Sequence, residues 1–297
     1  MKRSATGWWP QGLLFRHTTR NTGVFLILLS ALVFSTAGLF TKGISADAWS
    51  IIFWRGLFAS IFTMGYIFAR GTFDKEVLAM GKSGWVVALL GASGTAAFIP
   101  AFKLTSIANV SLIYATAPFV AVAVAWAWFR EKPRLVILLS SALAIVGVLI
   151  IVRGSIGGIR LKGDGLALFM TVMMSLIMVI YRRYPNTPAA GPSILSSLFL
   201  LPFGFYLGDP LAASFREVAI MAAFGMAFAI ASVTLSEGAR RVPPGETALL
   251  SALETPLAPV LAWLVLSELP TNATLVGGAV ILLAVFGSQL VGLKTDV

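Results

Sequence analysis

Two charged residues of this chain stand inside long apolar runs. Glu254 lies about eight residues into one run and Arg55 about seven residues into another, which is roughly 10–12 Å from the nearer helix end at 1.5 Å per residue. In hydrocarbon an ionised side chain at that depth costs about 2.5–3.5 kcal/mol on insertion scales, so each must face a cavity, find a partner or, for the acid, take up a proton. Glu254 could carry a coupled proton or hold a substrate ammonium. It could equally pair with Arg55, or serve the helix end beside Pro256. Arg55 could grip a carboxylate bidentately, snorkel outward, or lock its helix to a neighbour. Around these two, Ser35, Trp54, Phe98, Tyr114, Thr116, Met174, Ser232 and Ser251 could line an apolar cavity with a few polar handles, the composition that suits an amphipathic small molecule. Helix packing is the competing explanation for each.

Other chemistry is poorly served. Cysteine is absent and His17, the single histidine, lies in the basic N-terminal tail, so thiolate catalysis, disulfides and Cys- or His-ligated metal are not expected. The aspartates (Asp47, Asp74, Asp164, Asp209, Asp296) fall in loops or at the ends of apolar runs, leaving no facing pair for acid–base work inside a bilayer. The one GKS tripeptide, Gly81-Lys82-Ser83, has Glu76 where a phosphate loop needs its first glycine. No cofactor, no metal and no enzymatic activity are expected.

The elements that position these residues are helices in a membrane. Of 297 residues 58% are hydrophobic and 11% charged, well below the ~25% charge of a soluble domain. Ten apolar stretches approach the roughly 20 residues that cross a bilayer core, near 22–41, 48–69, 84–103, 108–129, 134–152, 164–181, 191–208, 215–236, 246–267 and 272–292. Pro133, Pro192, Pro244 and Pro270 fall at or just before proposed starts. Pro100, Pro118, Pro202, Pro256 and Pro259 fall inside spans, where each should kink or open its helix.

The chain also repeats itself. Ala115-Thr116-Ala117-Pro118, Trp126 and Glu131-Lys132-Pro133 are echoed about 137 residues later by Glu254-Thr255-Pro256, Trp263 and Glu268-Leu269-Pro270. This divides the chain into a basic tail (1–21), a first five-helix repeat (22–152), a connecting loop (153–163), a second repeat (164–292) and a short end (293–297). Five is odd, so the second copy enters the membrane from the opposite side. Two inverted repeats around a central cavity are the expected fold, an all-α integral membrane protein with Pro118 and Pro256 as paired helix breaks and gating points. Glu131 and Glu268 end equivalent helices, which suggests a shared capping or gate-pairing job. Gly91, Gly94, Gly277 and Gly278 should let helices approach closely.

Net charge +10 could signal nucleic acid, but its placement points to lipid. Fifteen of 22 Lys and Arg fall on the side that holds both termini and six on the other, with Arg55 inside a span. By the positive-inside rule both termini are cytoplasmic. Trp8-Trp9 and the tail's basic residues are expected at the membrane surface.

These paired motifs, with Trp54-Arg55 in the second span, resemble the drug/metabolite transporter superfamily, in particular the EamA-type ten-helix exporters, over about residues 22–292. Within that family the chain looks most similar to the aromatic amino-acid exporters. The resemblance implies a secondary transporter of a bacterial cytoplasmic (inner) membrane. It would export a small amphipathic metabolite, an aromatic amino acid first, by alternating access, with proton coupling through Glu254 as one option. Its partners are then a small-molecule substrate and the bilayer, with no nucleic acid; the oligomeric state is left open. Transport of a drug, lipid or nucleotide sugar, and a non-transporting assembly role, are the alternatives.

Overall fold

Apolar runs of this length fold in lipid only as helices, because every backbone N–H and C=O must be satisfied within its own segment. The computed structural model describes residues 11–130, 135–154, 160–239, 241–242, 247 and 250–295, and over these residues it is helical with no strand. Glu131, Pro133, Pro244 and the Trp8-Trp9 tail lie outside them. The helices are α1 (Gln11–Ser35), α2 (Ala37–Gly43), α3 (Ala48–Ala69), α4 (Gly81–Leu104), α5 (Ile107–Tyr114), α6 (Ala117–Phe129), α7 (Leu135–Arg153), α8 (Arg160–Arg183), α9 (Ala190–Leu207), α10 (Phe215–Ala239), α11 (Glu254–Leu266) and α12 (Asn272–Thr295). The pairs α1–α2 and α5–α6 each make one broken span. Eight spans are long and apolar enough to cross a membrane, and Glu254–Leu266 and Asn272–Ser288 are shorter apolar helices. Together these are the ten crossings of two inverted five-helix repeats.

Local chemistry sets the helix starts. Asp47 caps α3, its carboxylate accepting from the backbone N–H of Trp49 at 2.8 Å and of Ser50 at 3.0 Å. Ser214 and Glu217 form a reciprocal capping box before α10, with N–H to side-chain oxygen distances of 3.1 and 3.3 Å. Pro100, Pro202 and Pro259 lie within helices that run on through them without opening, because neighbouring turns and packed helices absorb the single lost hydrogen bond.

Packing between the repeats follows the inverted symmetry. α4 lies on α8 as α1 lies on α10, α3 pairs with α9, α7 with α12, and α5 with α11. The α7–α12 contact is close enough that a Cβ on Gly147 would sit 2.7 Å from the carbonyl oxygen of Gly277. Only glycine allows that backbone-to-backbone approach. The opposite face of α7 leaves Leu139, Leu149 and Ile145 about 60% exposed, a surface suited to lipid tails. α6 and α11 end alike, on Arg130 (φ 57°) and Ser267 (φ 53°) in the left-handed region. In both cases the residue after the turn is a glutamate.

Candidate functional site

Three helix breaks meet at one level of the bundle. In the first span the break falls at Thr36 between α1 and α2, with no proline to cause it. Ser35 and Thr36 instead donate their hydroxyls back to the carbonyls of Leu32 and Val33, each at 2.6 Å, which competes with the helical ladder and bends the chain. In the fourth span the break falls at Ala115–Thr116, just before Pro118, and Thr116 bonds back to Ile113 at 2.7 Å. The ninth span breaks at Ala252–Leu253, just before Glu254 and Pro256. Ser175 of α8 braces the second break by donating to the carbonyl of Ala117 at 2.9 Å.

A small cavity of about 20 Å³, room for about one water molecule, lies among these breaks. Its wall is apolar on the side of Phe34, Ala37, Gly38, Phe98, Phe102, Val110 and Ala258 and polar at Ser35, Ser111, Tyr114, Glu254 and Thr255. Phe98 and Phe102 meet edge to face with centroids 4.8 Å apart. Glu254 is the first residue of α11, where the helix dipole favours a carboxylate. Among the described residues it has no ion pair and no hydrogen-bond partner.

The structure therefore gathers Ser35, Phe98, Tyr114 and Glu254 and leaves the other sequence candidates elsewhere. Trp54 donates its indole N–H to the carbonyl of Pro210 at 2.8 Å and stacks on Phe58, which anchors the loop after α9. Arg55 is 2% exposed and lies over the rings of Phe224 and Phe228 at 5.4 and 4.7 Å. Its Nε has no hydrogen-bond partner, and it does not pair with Glu254. Phe228 meets Phe34 edge to face at 5.8 Å, so an aromatic pair stands between the guanidinium and the cavity wall. Thr116 turns its hydroxyl back onto its own helix. Met174 packs between α4 and α8, its methyl 2.7 Å from where a Cβ on Gly94 would be. Ser251 immediately precedes the break and lies off the cavity wall. Ser232 lines a different pocket.

Phe34, Phe102, Ser111 and Thr255 line the cavity without having been singled out from the sequence. A signal existed for three of them. Phe102 is one helical turn from Phe98, Ser111 is three residues before Tyr114, and Thr255 follows Glu254, so each shares a face or a turn with a residue already chosen.

An ion pair joins the two repeats beside α5. Lys42, at the end of α2, meets Glu268 at 2.6 Å, and Glu268 also accepts the backbone N–H of Ile107 at 2.7 Å. Glu268 thus caps α5, a helix of the other repeat, rather than the helix that follows it. Beneath this, fully buried Asp164 accepts from the Thr105 hydroxyl at 2.7 Å and the Asn109 amide at 3.0 Å, while Thr274 donates to Asn109 at 2.7 Å.

A duplicated five-helix unit with a cavity at the helix breaks narrows the family, and the EamA-like transporter family model matches twice, over residues 21–153 and 161–289. The chain belongs to the EamA-like transporter family. It is an integral membrane protein of a transporter family, and EamA members move small molecules rather than transform them. Its fold is similar to that of a protein of known crystal structure at a TM-score of 0.65 and 19% identity, covering 93% of this chain and 99% of the other. No curated protein matches the sequence significantly. The helix breaks of the two matched units line one shared cavity.

Proposed function

We propose that the chain exports a small amphipathic metabolite, an aromatic amino acid first, across a bacterial cytoplasmic membrane, with both termini inside and with residues 22–152 and 164–292 as its two rocking units. The observation that carries this reading is the pairing of unengaged polar groups with an aromatic wall. Ser111, Tyr114, Glu254 and Thr255 face the central cavity and make no side-chain hydrogen bond among the described residues, while Phe34, Phe98 and Phe102 supply the apolar side. A substrate ammonium meets Glu254, its carboxylate meets hydroxyls, and its ring replaces water against the phenylalanines. The cavity as it stands is too small for such a molecule, which suits a state between loading and release. Glu254 holds the ammonium or a proton in turn, so a proton gradient can drive the cycle. A nucleotide sugar would need several cations on the path, and Arg55 is not among the residues that line the cavity.

The test is uptake of radiolabelled tryptophan, phenylalanine and a nonaromatic amino acid into proteoliposomes of the purified chain without ATP, with and without a pH gradient. Saturable uptake ranked aromatic first is expected, and Glu254→Gln should abolish the response to the gradient. Uptake no greater than that of empty liposomes for all three would overturn the amino-acid reading. An unchanged gradient response in Glu254→Gln would remove the proton from Glu254.

A further inference from the structure

A second pocket, of about 80 Å³, opens between α3, α9 and α10 near the C-terminal ends of α3 and α10. It shares no lining residue with the central cavity. We propose that it is a second ligand site, which takes a small zwitterionic head group carrying a primary ammonium and an anionic group.

Three unengaged hydroxyls face this pocket. Thr63 of α3, Ser193 of α9 and Ser232 of α10 line the pocket, and none of the three hydroxyls has a partner among the described residues. Thr63 is 5% exposed, so bulk water does not serve it freely. Three hydroxyls converging from three helices give the pocket donors and acceptors for a polar ligand.

The rim is charged. Arg70 forms a long ion pair with Glu237 at 3.8 Å, and its side chain is 55% exposed. This long contact makes no hydrogen bond, so the guanidinium N–H groups can still meet an anion at the rim. Glu76 uses one carboxylate oxygen to accept the Ala190 N–H at 3.1 Å, and its other oxygen has no partner. Glu237 is committed by Tyr66 at 3.2 Å and Arg241 at 2.9 Å. A simple anion would be repelled by Glu76 and a simple cation by Arg70. A zwitterion answers both, and hydroxyls that donate and accept serve either pole. The same chemistry arrives from two sources, a free amino acid or an ethanolamine phospholipid of the adjacent leaflet.

The inference does not depend on what the central cavity carries. The full chain in phosphatidylglycerol nanodiscs is titrated calorimetrically with L-phenylalanine and with O-phosphoethanolamine, and native mass spectrometry counts retained phosphatidylethanolamine when that lipid is added. Ser193→Leu, which fills the pocket, and Arg70→Gln should each weaken binding at least about tenfold, with partial recovery in Arg70→Lys. Glu254→Gln reports the central cavity separately and should leave this component unchanged. Amino-acid binding with this pattern supports a free-metabolite site, and lipid retention with O-phosphoethanolamine competition supports a head-group site. Thermal unfolding verifies folding, and Ser193→Ala replaces the leucine variant if that one unfolds. Failure of both probes and of lipid retention overturns the proposal, as does binding insensitive to Ser193 and Arg70. Equal binding of ethanolamine or acetate overturns the zwitterion.

Discussion

Glu268, at the end of the ninth span, holds Lys42 of the first span at 2.6 Å and caps Ile107 at the start of α5 at 2.7 Å. One carboxylate thereby ties the second repeat to two helices of the first. With both side chains about one-fifth to one-quarter exposed, solvent screens the pair, and the N-cap is expected to contribute as much as the charge.

Glu268→Gln should keep an acceptor for Ile107 and lose the ion pair, costing about 1 kcal/mol, whereas Glu268→Ala loses both and should cost about 2 kcal/mol. The chain has no cysteine, so a single cysteine introduced at Ser111 reports access to the cavity without background. Its labelling from the Lys42 side should rise in the order wild type, Gln, Ala. Equal labelling in all three would show that this contact does not close the cavity.

Asp164 is fully buried and gathers donors from Thr105 and Asn109. Asp164→Ala removes the buried acceptor that both donors share and should lower stability by about 1–3 kcal/mol. Asp164→Asn retains one acceptor but sets its own amide N–H groups against those of Asn109, an intermediate effect. Unfolding midpoints in detergent test the order, and an alanine variant as stable as wild type would contradict it.

Arg55 rests on Phe224 and Phe228 with an unpartnered Nε. If the planar guanidinium is held by the rings, Arg55→Lys is worse than Arg55→Met, because lysine keeps the buried charge and loses the planar contact while methionine sheds the charge and fills the space. Thermal unfolding of the two variants decides. The reverse order would point to a charge partner for this residue.

Asp47 caps α3 outside the spans. Partial burial pushes its carboxyl up, but the hydrogen bonds from Ser50, Trp49 and Asp209 outweigh this and hold it below the usual range. A depressed folded-state value means the contribution is complete above the unfolded pKa of about 3.9 and is lost as pH falls through the lower, folded value. The stability difference between wild type and Asp47→Ala should therefore be steady from about pH 6 to 5 and shrink below about pH 4. A difference that grows on acidification would reverse the sign.

The sequence alone determined the membrane environment, the ten crossings, the duplicated inverted plan and two of the three helix breaks. These follow from composition, run length and the placement of Pro118 and Pro256, all local properties of the chain in lipid. The third break was hidden, because Ser35 and Thr36 open a helix through side-chain hydrogen bonds and their residue types alone do not require it. Tertiary structure decided which polar groups share a cavity. Each residue turns a helix by about 100°, so small differences in register and rotation, set by contacts such as Gly147 on Gly277, change which face looks inward. That is why Glu254 and Tyr114 meet in the cavity while Arg55, at a similar depth, lies behind Phe34 and Phe228, and why Ser232 belongs to the other pocket.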